Sequence, residues 1–259
     1  MKYYVTSDIH GFYSIFRKAL EESGYFTDSE PHKLIILGDL FDRGTEALEL
    51  QEFIIDCIDK DEVILIKGNH EDLYEELVNV DKGLAYRHHI ANGTFVTAIL
   101  LSKYSAVQAM ENSIAFAKAA RDTPLYTRII PSMLDYYETE NYVFTHGWIP
   151  CIHDRTGYSY CSDWRNSSPK EFSEARWYNG IDAAQTCLEE KTILCGHWHA
   201  SYGHSHYEHS GPDHGEGADF SPYYGPGVIA LDACTAYSGK INIVVIEDNP
   251  LGEGGIHNG

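Results

Sequence analysis

The chain has 259 residues, with 19 Lys+Arg against 39 Asp+Glu and a formal charge of −20. Gripping nucleic-acid phosphates requires a basic stripe and anchoring at a membrane surface a polybasic patch, so this balance disfavours both partners. Hydrophobic residues at 43% argue against disorder, and no apolar run approaches the ~18–20 residues of a membrane helix. Cys57, Cys151, Cys161, Cys187, Cys195 and Cys234 are scattered with no Cys-x-x-Cys spacing, and Met1 leads straight into a strand-like run rather than a signal peptide. The expectation is a cytoplasmic protein whose thiols are reduced and packed in the core.

The first seventy residues have a clear rhythm. Lys2–Ser7 is β-rich and ends in Asp-Ile-His-Gly, and Tyr13–Ser23 has helical apolar spacing at Ile15, Phe16, Ala19 and Leu20. Lys33–Leu37 is an apolar strand ending in Gly38-Asp39, Ala47–Asp59 is again helical, and Glu62–Lys67 is a third apolar strand ending in Gly68-Asn69-His70. Continuous apolar strands alternating with helices predict parallel βαβ units buried on both faces. Ligands of such sheets sit beyond the carboxyl ends of the strands, so the polar clusters there mark the floor of one site.

Residues 71–140 read as a helical insertion, a cap over that site, with Met133–Tyr137 as its last helix-like piece. Its aromatic residues Tyr86, Phe95, Tyr104 and Phe116 fall at helical spacings and read as core. The β pattern returns at Asn141–Thr145, Thr192–Cys195, Val228–Leu231 and Ile241–Ile246, the last two read as an antiparallel hairpin around Ser238-Gly239. Residues 201–227 are rich in Gly, Pro, His and Tyr and read as a long loop, and 249–259 as a flexible tail. His204, His206, His209 and His214 suit an exposed polar loop better than an extra metal site. Tyr223 and Tyr224 suit hinge packing and an overhang of the site equally well. The whole chain, 1–259, is expected to be one α/β unit, of a size common for such folds at ~200–250 residues.

The polar residues at strand ends form a constellation: Asp8 and His10, Asp39 and Asp42, Asn69 and His70, His146, His197 and His199. Taken singly, these residues read as helix caps, Asx turns or hydrogen-bonded histidines. Together, carboxylates and imidazoles at the mouth of one sheet are the donors wanted by borderline divalent metals. Two ions ~3.5–4 Å apart would polarise a phosphoryl group and turn a shared water into hydroxide.

At these residues the chain resembles a family. Asp8-x-His10-Gly11, Gly38-Asp39-x-x-Asp42-Arg43-Gly44 and Gly68-Asn69-His70-Glu71 resemble the three-part signature of calcineurin-like metallophosphoesterases. The Asp-Arg-Gly and Asn-His-Glu forms resemble the phosphoprotein phosphatase branch, including its bacterial and phage members. The gaps fit, 31 residues from Asp8 to Asp39 and 30 from Asp39 to Asn69, and His146-Gly147 and Gly196-His197-Trp198-His199 match the two later motifs. The likeness covers the core from end to end, but neither the insertion nor the 201–227 loop.

The resemblance implies a fold of central mixed β-sheets flanked by helices, an α+β sandwich, and two divalent ions, Mn²⁺ foremost with Fe, Zn or Co also accepted. One ion would be held by Asp8, His10 and Asp39, joined by His199 where relatives carry a His-x-His ending. The other would be held by Asp39, Asn69, His146 and His197. His70 would be the general acid, oriented by Asp42, and Arg43 would contact phosphate. A second phosphate-clamping arginine belongs between the last two histidine motifs. Arg165 and Arg176 both fall there, and Arg176, 21 residues before His197, is preferred. Glu71 reads as a support of its loop rather than a ligand.

The implied activity is hydrolysis of phosphate esters by a metal-bridging hydroxide. A serine/threonine-phosphatase-like phosphomonoesterase comes first, then a dinucleoside polyphosphate hydrolase. A phosphodiesterase, weakened by the charge, and a non-catalytic metal-binding module follow. Partners would be a small phosphate ester, a dinucleoside polyphosphate or a phosphopeptide. Bound ions reverse the local charge of such a pocket, so −20 describes the outer surface and filters out long anionic polymers rather than small phosphate esters.

Overall fold

A computed structural model describes residues 1–79, 86–251 and 256–257. Its first sheet contains three parallel strands, β1 (Lys2–Thr6), β2 (His32–Leu37) and β3 (Val63–Ile66). Helices α1 (Tyr13–Glu22) and α2 (Ala47–Asp59) make the crossovers between them. The second sheet is built on parallel β5 (Tyr142–Phe144), β8 (Thr192–Cys195) and β10 (Val228–Ala230). Antiparallel edges are β4 (Tyr136–Glu138), which pairs with β5 and with the two-residue β12 (Ile256–His257), and β9 (Tyr223–Gly225), which pairs with β10. A separate ribbon joins β6 (Ile152–Asp154) to β7 (Gly157–Ser159).

The two sheets stack face to face, and the pleat explains how one apolar strand serves two layers. Tyr3, Val5, Ile35 and Leu37 point inward and meet Phe144, Leu194, Ile229 and Leu231 from the second sheet. Their neighbours Tyr4, Leu34 and Ile36 point the other way, onto α1 and α2. Val143, Ile193, Val228 and Ala230 likewise face outward, onto α8 (Pro169–Ala175), α9 (Gly180–Ala183) and α10 (Ala200–His206). A strand with both faces buried has no polar side, which is why these strands read as continuous apolar runs. The result is helix, sheet, sheet, helix, with the carboxyl ends of both sets of parallel strands at one mouth. Among the described residues, no helix is long and apolar enough to cross a membrane.

The insertion carries α3 (Asn69–Asn79), α4 (Tyr86–Asn92), α5 (Thr94–Ser102), α6 (Ala106–Glu111) and α7 (Ser113–Arg121). Phe95, Ala98, Leu101 and Phe116 join Phe16, Leu20, Leu50 and Ile54 in one buried cluster on the flank of the first sheet, while Val107, Met110 and Ile114 stay exposed. Tyr104 packs on the same cluster, while the side chain of Tyr86 lies outside the described residues.

Four expectations change. Residues 133–137 are not helical: Leu134 bridges Ile66, and Tyr136 and Tyr137 send rings to opposite faces as a strand must. The final hairpin does not form. Ser238-Gly239 ends the short helix α11 (Thr235–Ser238), with Gly239 at φ 66° as its left-handed stop. The chain then crosses to the other sheet, where β11 (Val244–Glu247) pairs antiparallel with β1. Its alternation of buried Val244 and Ile246 with Val245 and Glu247 suits an edge with one wet face. The 201–227 stretch is not all loop, since it begins within α10 and ends on β9, where Tyr223 is buried against Gly203 and Tyr224 is exposed. All six cysteines are free, but Cys151, Cys161 and Cys234 are only partly buried.

Candidate metal centre

Each parallel strand ends just before a polar residue of the site. Asp8 follows β1, Asp39 follows β2, Asn69 follows β3, His146 follows β5 and His197 follows β8. Asp8, His10, Asp39, Asp42, Arg43 and His197 all have positive φ, between 51° and 74°. Left-handed backbone is costly for residues with a Cβ and persists where surrounding structure holds it, as functional sites do. Here the neighbours hold it tightly: a Cβ on Gly68 would strike the Asp39 carboxylate, and one on Gly196 the Asp8 carboxylate. Glu71 secures the β2 turn by accepting the N–H groups of Asp39 (3.1 Å), Leu40 (3.0 Å) and Gly68 (2.8 Å).

Asp39 is the hub. One oxygen, Oδ2, lies 3.7 Å from His10 Nε2 and 3.8 Å from His70 Nε2; the other, Oδ1, lies 3.3 Å from His146 Nε2. Two groups able to hold an ion therefore share it, His10–Asp39–His70 and Asp39–His146–His197. Asp8 approaches the first, with Oδ1 3.9 Å from His10 Nε2 and Oδ2 accepting the His197 N–H at 3.0 Å. Asn69 approaches the second, its Oδ1 2.9 Å from His146 Nε2.

The donor set fits divalent ions on two counts. His10 Nδ1 and His146 Nδ1 must donate to the carbonyls of Phe41 (2.9 Å) and Leu37 (2.6 Å), since a carbonyl only accepts. Burial keeps both imidazoles neutral, His10 pushed down to about 3, so each Nε2 presents a lone pair to carboxylate or amide oxygens. Acceptors facing acceptors in a dry site call for a cation between them. The carboxylates agree. Asp8 is pushed well up by burial, then by the charges of Asp232 and Asp39, and Asp232 is itself raised to about 6 by burial.

Asp232 is the site residue that sequence reading missed. It follows β10 as Asp8 follows β1, and its Oδ1 accepts the Cys234 N–H at 2.6 Å. The predicted strand Val228–Leu231 ended at this residue, so position at a strand end was the available signal.

His70 has a different environment. Its Nδ1 donates to Asp42 Oδ2 at 2.6 Å, and Asp42 also accepts Thr94 Oγ1 on Oδ2 (2.7 Å) and Thr97 Oγ1 on Oδ1 (2.7 Å), both from α5. Burial disfavours a charged imidazole, but the Asp39 and Asp42 carboxylates outweigh it and raise His70 to about 9. Burial opposes a charge on Asp39, and the positive charge of His70, 3.8 Å from Oδ2, favours it. Arg43 is exposed at the mouth, with NH2 3.4 Å from His70 Nε2.

The remaining candidates have partners of their own. Arg176 is buried and paired with Asp72 (2.7 Å) and Asp135, along a cleft of about 600 Å³ that also contains Lys67 and Lys170. Arg165 is engaged by Glu138 (2.6 Å) and Glu189 (3.3 Å) and lies over the Trp164 ring. His199 falls with Asp213 and His214.

The sequence profile of the calcineurin-like phosphoesterases matches residues 1–228. Over 133 residues the chain is 32% identical to the asymmetrical bis(5'-nucleosyl)-tetraphosphatase of Bacillus velezensis, covering 49% of this chain and 51% of that protein. It is 42% identical over 71 residues to the symmetrical bis(5'-nucleosyl)-tetraphosphatase of Buchnera aphidicola, covering 27% of this chain and 24% of that one. The chain thus spans about half the length, or less, of these curated relatives. Among solved structures, a cold-active protein tyrosine phosphatase of a psychrophilic Shewanella is similar in fold, with a TM-score of 0.56 at 16% identity over 96% of this chain and 76% of that one. A profile match across most of the sequence and a metal-ready mouth between two sheets lead to one conclusion: the chain belongs to the calcineurin-like phosphoesterase family.

Proposed function

We propose that this phosphoesterase hydrolyses dinucleoside polyphosphates, using Asp8, His10, Asp39 and Asp232 around one divalent ion and Asp39, Asn69, His146 and His197 around a second. Mn²⁺ is the proposed resident, from a donor set that also suits Fe, Zn or Co. When bound, such ions lend Lewis acidity to a phosphoryl group and to water. The protein's own part is charge, orientation and a proton. Arg43 offers paired donors to phosphoryl oxygens. His70, with Nδ1–H held by Asp42, delivers its Nε2 proton to the departing oxygen.

The observation that favours a nucleotide over a phosphoprotein is Trp177. It is 47% exposed, beside the mouth, with its ring centroid 5.8 Å from that of His197. An indole left half in water next to a catalytic centre is a stacking platform for a base, an interaction worth ~1–3 kcal/mol. The tetraphosphatase names of the relatives support the same reading. The serine/threonine-phosphatase reading, first on sequence, yields to it.

In the test, Trp177→Ala should raise KM for diadenosine tetraphosphate ~5–100-fold and leave an aryl phosphate unaffected. Equal effects on both substrates, or faster turnover of phosphopeptides than of the dinucleotide by the native enzyme, would contradict the proposal.

A further inference from the structure

The histidine that the first metal group leaves out has companions of its own. His199 stands just ahead of α10, and the following segment folds back so that Asp213 and His214 reach it. Asp213 Oδ1 lies 3.4 Å from His199 Nδ1, and the His199 and His214 rings are 4.4 Å apart between centroids. Potential ligand atoms of all three residues fall within 4.8 Å of one another.

Two details distinguish this trio from a chance meeting of polar side chains. Asp213 Oδ1 is sealed from solvent and has no hydrogen-bond partner, while the side chain as a whole is 35% exposed. A carboxylate oxygen in that position is costly unless something positive meets it. The second detail is Ser201. Its hydroxyl proton goes to the Asp213 carbonyl (2.7 Å), so toward His199 Nδ1, at 2.9 Å, it can only accept. That leaves the ring proton on Nδ1 and the lone pair on Nε2, the tautomer in which a ligand histidine is usually fixed by an outer hydrogen bond.

We propose that His199, Asp213 and His214 form a third metal site, separate from the dinuclear centre, that takes a borderline divalent cation such as Zn²⁺. Two imidazoles and a carboxylate satisfy three of the four positions of tetrahedral zinc and leave one for water. The site staples residues 207–222 to the segment that carries His197. That stretch buries little of its own: Phe220 is its buried apolar residue, and the chain turns through left-handed Gly211, Gly215 and Gly217. A metal clip supplies what a hydrophobic core does not. The inference is independent of the substrate.

The test uses the full chain, stripped with chelator, reloaded with Zn²⁺ and freed of excess by gel filtration. Metal content by mass spectrometry should fall by one ion per chain in Asp213→Ala/His214→Ala, while His209→Ala retains the native count. Hydrogen exchange in 207–222 should slow when zinc is added to the native protein and not to the double variant, whose exchange elsewhere reports that it is folded. An unchanged metal count in the double variant, or zinc-insensitive exchange in 207–222 of the native chain, would overturn the site. So would His199→Ala releasing an ion that the double variant retains, because His199 would then serve the dinuclear centre.

Discussion

From the first sheet come Asp8, Asp39 and Asp42, the neutral His10, and the one imidazole raised toward 9, His70. From the second come His146 and His197, buried histidines pushed below their ordinary value, His197 to about 3. The same residue type thus does opposite work a few ångströms apart. Burial lowers all three rings: at His70 the Asp39 and Asp42 carboxylates together outweigh it, whereas at His146, which faces Asp39 alone, and at His197, with His146 beside it, burial wins. In the proposed mechanism the neutral rings serve as ligands and the charged one as the acid, which would store the proton of the reaction on the first sheet.

This contrast can be broken at several points. The largest effect is expected at its hub. Asp39→Asn keeps the shape but removes the charge shared by both groups, and should lower turnover by more than the ~10–100-fold typical of outer-shell partners, with loss of bound metal by elemental analysis. His70→Asn should retain metal yet lower turnover of a slow alkyl phosphate by ~10²–10⁴, with little loss on a fast aryl leaving group. Unchanged alkyl turnover would remove His70 from the acid role. Thr97→Val takes one donor from buried Asp42 and should cost ~1.5–3 kcal/mol in denaturant unfolding, with a smaller loss of turnover than His70→Asn.

The smallest effect is a pH dependence of the metal-free protein. His10 and His197 have folded values near 3 against an ordinary 6.5, so their contribution to stability is present above 6.5 and lost as pH falls toward 3. His70 has the opposite sign: its contribution is present below 6.5 and lost as pH rises through about 9. Melting temperatures should therefore fall on the alkaline side, where ionisation of the raised Asp8 and Asp232 adds to the loss, and His70→Asn should lessen that decline while leaving the acid side unchanged.

How far the sequence showed this depended on the range of the contacts. The βαβ rhythm and the strand-end residues are local, and the three parallel strands of the first sheet were legible from residues 2–67. The bond from Thr97 to Asp42 spans 55 positions and no local pattern announces it, so the insertion's support of Asp42 was not legible. Ser238-Gly239 looked like a hairpin because a left-handed glycine serves a turn and a helix end equally; only pairing with β1 distinguishes them. Asp232 was visible but isolated, without the motif neighbours that make Asp8 and Asp39 stand out. His199 sat in a familiar His-x-His ending, and its companions Asp213 and His214 arrive from a segment with no periodicity to place it.

The most direct test of the dinuclear account is a titration of the stripped protein with Mn²⁺ while hydrolysis of an aryl phosphate is followed. The account predicts no turnover without metal, activity that requires two bound ions, and none in Asp39→Asn at the same metal concentration. Full activity in the stripped protein, or at one bound ion per chain, would contradict it.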